Sequence, residues 1–108
     1  MATKFQTIAP QGKLDGISGA KLQQQILELA HGDLDLVLVD LSRVDFLDSA
    51  GLGALVTALN ALRSINKQLC FCSPGAQVSM ILQLTKMMQV FQVFADQAEF
   101  EQSLFPTK

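Results

Sequence analysis

Leu36-Val37-Leu38-Val39-Asp40 is an unbroken apolar run closed by a carboxylate. A strand with one wet face alternates apolar and polar residues. A strand that is apolar at every position is covered on both faces, as inner strands of parallel sheets are. Upstream, Phe5 to Ala9 reads as a first strand, broken at Pro10-Gln11-Gly12, with Lys13-Leu14-Asp15 continuing it past a bend. Ser18 reads as the N-cap of a first helix, Ile17 and Leu22 as its hydrophobic staple, and Leu22, Ile26 and Leu29 as its inner face. His31-Gly32 ends that helix, with the glycine expected in the left-handed conformation. Downstream, a loop with Ser42, Arg43, Asp45 and Phe46 leads to Asp48. A long helix from about Ala50 to Ile65 follows, with Leu52, Leu55, Val56, Leu59 and Leu62 at helical spacing and a second stripe of small residues, Gly51, Ala54, Ala58 and Ala61.

Gln68 to Cys72 is the next strand. Ser73-Pro74 reads as the cap and first position of a third helix, with Val78, Ile81 and Leu82 inward and Met87 and Met88 near its end. Val90 to Phe94 is a last strand, and Asp96 with Glu99 opens a short C-terminal helix that turns Phe100 and Leu104 inward. The order βαβαβαβα predicts an α/β fold. It is a single domain over residues 1–108 with its core at about 5–104, built on a mainly parallel sheet of four to five strands with helices packed on it.

Composition narrows the function. A chain of 108 residues that is 49% hydrophobic and 17% charged has the means to build one core and is not disordered. Its net charge of −2, with eight scattered Lys and Arg, gives no electrostatic grip on nucleic acid. No apolar run approaches the roughly 20 residues that span a bilayer, and no leader is visible, so a soluble cytoplasmic protein is expected. Cys70 and Cys72 lie on one face of their strand, and His31 is the single histidine. The thiols therefore read as two small buried hydrophobes in a reducing compartment, with neither a metal nor a cofactor expected.

Asp48-Ser49-Ala50-Gly51-Leu52-Gly53 carries the chemistry. It places a serine hydroxyl where a helix begins, beside unpaired backbone N–H groups and the positive end of the helix dipole. Two readings are open at this point, an ordinary cap or exposed serine, and a hydroxyl that accepts a phosphoryl group. Gly51 and Gly53 each cost about 1 kcal/mol in a helix relative to alanine, which implies close approach of something to the helix start. The topology puts Asp15, Asp45 and Asp48 on the sheet edge that carries Ser49, either as an acidic rim or as a solvated loop edge. Nucleophilic catalysis has no support. Leu47 stands where a nucleophile elbow needs glycine, and His31 falls at the far end of another helix. Phosphate loops fail because no third glycine completes Gly51-x-Gly53. A phosphoaspartate receiver fails because no acidic pair follows the first strand.

Val39-Asp40-Leu41 and Val44-Asp45-Phe46-Leu47-Asp48-Ser49-Ala50-Gly51-Leu52-Gly53-Ala54-Leu55, together with Gly12-Lys13-Leu14-Asp15 and Ser73-Pro74, closely resemble the signature of STAS domains of the anti-sigma factor antagonist type. The resemblance runs from about Phe5 to Leu104. It implies the STAS fold and a non-enzymatic, partner-switching role. The serine of the D-S-x-G core, Ser49, would be phosphorylated by a partner that is both serine kinase and anti-sigma factor, of the histidine-kinase-like ATPase type, and dephosphorylated by a PP2C-type phosphatase. The partner-binding residues it implies are Asp15, Asp48, Ser49, Ala50, Gly51, Leu52 and Gly53, with the helix from Ala50 as docking element. The alternative is a non-catalytic scaffold or ligand-sensing module without regulated phosphorylation. Many relatives carry a second serine where Ala50 stands, and an extra N-terminal strand before Phe5. The edge that such a strand would cover invites pairing with another chain, so a homodimer is a secondary expectation.

Overall fold

Every strand pairing among the described residues is parallel, as expected from the apolar run at Leu36–Val39. The computed structural model describes residues 3–104. In chain order the elements are β1 (Phe5–Ile8), β2 (Gly12–Leu14), α1 (Gly16–Ala30), β3 (Leu36–Asp40), β4 (Val44–Leu47), α2 (Ser49–Ser64), β5 (Gln68–Cys72), α3 (Ala76–Leu84), a 3-10 turn (Met87–Gln89), β6 (Gln92–Phe94) and α4 (Gln97–Leu104). The main sheet has the order β1-β3-β5-β6, and β2 and β4 form a separate two-stranded sheet.

β3 is buried on both faces. Val37 and Val39 pack with Leu22 and Ile26 of α1, Leu52, Leu55, Leu59 and Leu62 of α2, and Val78 and Leu82 of α3. Leu36 and Leu38 pack on the opposite face with Cys70, Cys72 and Phe100 of α4. Phe100 meets Phe5 and Phe94 edge-to-face at 5.0 and 5.5 Å, so one ring of an eight-residue helix anchors that layer. Both cysteines are free thiols in this cluster, and burial pushes Cys70 up to about 11, which leaves it an unreactive apolar group.

Several local expectations are corrected. Lys13-Leu14-Asp15 does not extend the first strand, because Gly12 at φ +84° turns the chain and sends Gly12–Leu14 to pair with β4. The expected loop before Asp48 contains that strand. α1 is capped by Asp15, not Ser18, and so starts three residues earlier than expected. Ile17 consequently leaves the staple position and is 74% exposed. Ala30 ends α1 without a left-handed Gly32, since Gly12 alone among the described glycines has positive φ. α3 begins at Ala76 after Gly75, with no side-chain cap. Ser73 instead takes φ +59° and gives its N–H to the Phe94 carbonyl at 3.0 Å. Met87 and Met88 lie in the 3-10 turn beyond α3, and Val90 lies outside the last strand. At α4 the Glu99 N–H reaches Asp96 at 2.8 Å, while the Glu99 carboxylate takes the N–H of Ala95.

Candidate functional site

The small β2–β4 sheet sets the site. Its register pairs Leu14 with Leu47, so Asp15 and Asp48 follow at the same level, and each opens a helix. Asp48 takes extended backbone angles, and its Oδ1 accepts the Gly51 N–H at 2.8 Å. Its carbonyl accepts the Leu52 N–H at 2.9 Å, and its own N–H reaches the Leu14 carbonyl at 3.2 Å. Asp15 caps α1 in the same manner, accepting from the N–H groups of Ile17 and Ser18 at 3.0 Å each. The Ser18 hydroxyl completes a capping box by accepting the Asp15 N–H at 2.9 Å and donating to the Lys13 carbonyl at 2.6 Å. These bonds, the Ser18 N–H first, hold the Asp15 carboxyl below the usual carboxylate range.

Two helix N-termini therefore lie side by side. They can do so because their contact is made of small residues. A β-carbon added at Gly19 would stand 3.0 Å from the Ala54 β-carbon and 3.3 Å from the Gly51 α-carbon, and one at Gly16 would stand 3.5 Å from Ala50. One added at Gly51 would overlap the Leu14 carbonyl. The close approach foreseen at the helix start is thus internal, and α1 and β2 are what approach. The small-residue stripe of α2, the helix expected to dock a partner, is packed against them at Gly51 and Ala54, and Ala58 is buried. Gly53, two residues on, has open space above it.

Ser49 is the first residue of α2 and is exposed, as are Ala50 and Gly53, whereas Gly51 and Leu52 are buried. Leu52 belongs to the core, so it shapes the helix start from beneath. Asp15 and Asp48 are half-buried and engaged as caps. Asp45 is exposed on β4 and makes no hydrogen bond with either among the described residues. The acidic convergence is therefore that of two cap carboxylates, not a free cluster of three. Ile17, 74% exposed and next to the Gly16–Ala50 contact, and Phe46, 44% exposed on β4, add apolar surface to this end of the molecule. Sequence reading missed Ile17 because the staple placed it inside. It also missed Gln77, whose carboxamide hydrogen-bonds both backbone groups of Leu47 and for which local sequence carries no signal.

Chemically the site presents one free hydroxyl on a fixed backbone. The single imidazole, His31, caps the C-terminus of the 15-residue α1, about 22 Å along the helix from its start. No group of three or more potential metal-ligating residues occurs among the described residues. What the arrangement offers is a hydroxyl at twin helix N-termini, where added negative charge is locally favourable.

Comparison with known proteins gives a match of the STAS domain family model to residues 4–100. Among solved structures, the anti-sigma factor antagonist SpoIIAA in its unphosphorylated form is similar at 17% identity and TM-score 0.78, covering 99% of this chain and 93% of that one. The phosphorylated form of the same Bacillus protein is similar at 14% identity and TM-score 0.68, covering 94% of this chain and 93% of that one. An anti-sigma factor antagonist from Mycobacterium paratuberculosis matches at 20% identity and TM-score 0.82, over 94% of this chain and 86% of that one. A sulfate transporter family protein from Wolinella succinogenes matches at 14% identity and TM-score 0.79, over 95% and 88%. At these identities the structural likeness speaks for the fold.

Proposed function

We propose, from the premise that this chain belongs to the STAS domain family, that it is an anti-sigma factor antagonist worked by partner switching. Unphosphorylated, it binds a serine kinase that doubles as anti-sigma factor and so frees that partner's other client. Phosphorylation of Ser49 ends the binding, and a PP2C-type phosphatase restores it. The observation that carries this reading is the exposure of Ser49 at the first position of α2, on a turn in which Asp48 is engaged as the cap and Gly51 and Leu52 are buried. That a similar protein, SpoIIAA, exists in both phosphorylated and unphosphorylated forms supports it.

The switch needs no change of shape. A phosphoryl group adds roughly −1.5 to −2 charges at neutral pH and must be desolvated beneath any partner that covered the hydroxyl. A penalty of about 3 kcal/mol, the scale of like-charge juxtaposition at an interface, weakens binding more than a hundredfold. Asp15, Asp48, Ser49, Ala50 and Gly53 form the docking surface in this reading, with Gly51 and Leu52 supporting it from below. Incubating the cognate kinase and ATP with wild type and Ser49→Ala tests the acceptor, and equal labelling of the two refutes it.

The likeness to a sulfate transporter family protein favours a second reading, a non-catalytic scaffold or ligand-sensing module. In that case Ser49→Asp leaves partner affinity unchanged. Among the described residues no helix is long and apolar enough to cross a membrane. The homodimer expected from the sequence has its candidate surface in β1, which pairs with β3 on one side and, among the described residues, is an edge on the other. Sedimentation equilibrium of the unmodified protein tests that contact.

A further inference from the structure

β4 ends at Leu47, one residue before the cap of α2. Its inner side is paired with β2, and on its outer side no strand lies among the described residues. On that outer side the Leu47 N–H donates to Gln77 Oε1 at 2.8 Å, and Gln77 Nε2 donates to the Leu47 carbonyl at 3.0 Å. Gln77 lies in the first turn of α3, thirty residues away, and is half-buried. A neutral carboxamide offers an acceptor and a donor side by side, so it serves one residue's N–H and C=O together, as a neighbouring strand would. Immediately after, the Asp48 N–H is held from the opposite side by the Leu14 carbonyl, and the Leu47 side chain is fully buried.

We propose that Gln77 is a positioning residue for the Ser49 turn, its carboxamide standing in for a third strand beside β4. The backbone that enters α2 is gripped from β2 on one flank and from α3 on the other. The direction in which the Ser49 hydroxyl leaves the surface is then set by two elements far apart in sequence. The clamp follows from the hydrogen bonds alone. Its consequence for phosphoryl transfer rests on the reading of Ser49 as acceptor.

Amide hydrogen exchange on the full chain, with no partner present, tests the clamp. Gln77→Leu keeps the volume and removes both bonds. Exchange at Leu47 and Asp48 is expected to rise roughly tenfold, the factor that about 1.4 kcal/mol represents, while the β3 amides keep their protection. Unchanged exchange at Leu47 and Asp48, or an equal acceleration in β3, overturns the clamp. If Gln77→Leu does not fold, the wild type decides. Slowly exchanging carboxamide protons on Gln77, with a nuclear Overhauser effect to the Leu47 amide, support the clamp, and carboxamide protons exchanging as in a free glutamine overturn it. With the cognate kinase, Gln77→Leu is expected to lower kcat for Ser49 with KM kept, because the docking surface survives and the hydroxyl is misplaced. An unchanged kcat overturns the positioning role. A wild type that shows the clamp but takes no phosphate at Ser49 refutes the acceptor reading and leaves the clamp standing.

Discussion

Gly51 and Gly53 sit two residues apart in one helix, and substituting alanine at each is expected to act with opposite sign. In a helix interior, alanine is worth up to about 1 kcal/mol over glycine. At Gly53 nothing stands within 4 Å of an added β-carbon, so that gain is realised nearly whole. At Gly51 the added carbon overlaps the Leu14 carbonyl, a backbone atom fixed by its bond to the Asp48 N–H. The Leu47 side chain also stands 3.1 Å from the new carbon. α2 must therefore lift from β2, loosening the Asp48–Leu14 bond and the Gly19–Gly51 contact. Overpacking of this kind costs roughly 1–3 kcal/mol, and more against backbone than against a side chain that can rotate. Against a fixed backbone carbonyl the cost falls at the upper end of that range, and after the propensity gain the net loss is about 1–2 kcal/mol. For a domain of this size each kcal/mol moves Tm by roughly 4–8 °C. Thermal unfolding followed by circular dichroism should show Gly51→Ala melting about 5–15 °C below wild type and Gly53→Ala a few degrees above it. A Gly51→Ala protein as stable as wild type would refute the close packing of α2 on β2.

Asp48→Ala removes the side-chain cap of α2 and should cost about 0.5–2 kcal/mol in urea unfolding, whereas Asp48→Asn keeps an acceptor oxygen and should lose less. The Asp15 carboxyl is held below its ordinary value, so its ionised form stabilises the native state. That contribution is complete above the unfolded value near 3.9 and is lost as pH falls through it toward the native value. The stability difference between wild type and Asp15→Asn, from urea midpoints, should accordingly be constant near pH 6 and shrink below about pH 4. Cys70 and Cys72, buried with thiols pushed up by burial, should resist alkylation at neutral pH in the native protein and react once urea unfolds it.

The layers were legible because burial leaves a periodic trace. The run at Leu36–Val39 and the spacing of Leu52, Leu55, Leu59 and Leu62 report faces that the structure buries. β4 leaves no such trace. Its four residues read buried, exposed, exposed, buried, which breaks the alternation of a strand and, at i and i+3, fits one helical turn as well. The start of α1 was misplaced because Asp15 and Ser18 are both good caps three residues apart. They cooperate in one box, and local propensity cannot say which comes first. The two glycines of α2 gave the right inference, close approach, but not the neighbour, since that depends on where β2 runs. Gln77 was invisible for the same reason: a clamp across thirty residues exists only once α3 lies beside β4.

In the proposed switch, charge on one hydroxyl decides whether a partner docks while the fold stays as it is. Calorimetric titration of the cognate kinase into unmodified and Ser49-phosphorylated protein, with backbone amide spectra of both forms, tests it most directly. Such a switch lowers the affinity of the phosphorylated form more than a hundredfold, with spectral shifts confined to the turn around Ser49. Equal affinities, or a loss of binding accompanied by shifts throughout β3 and α2, would contradict it.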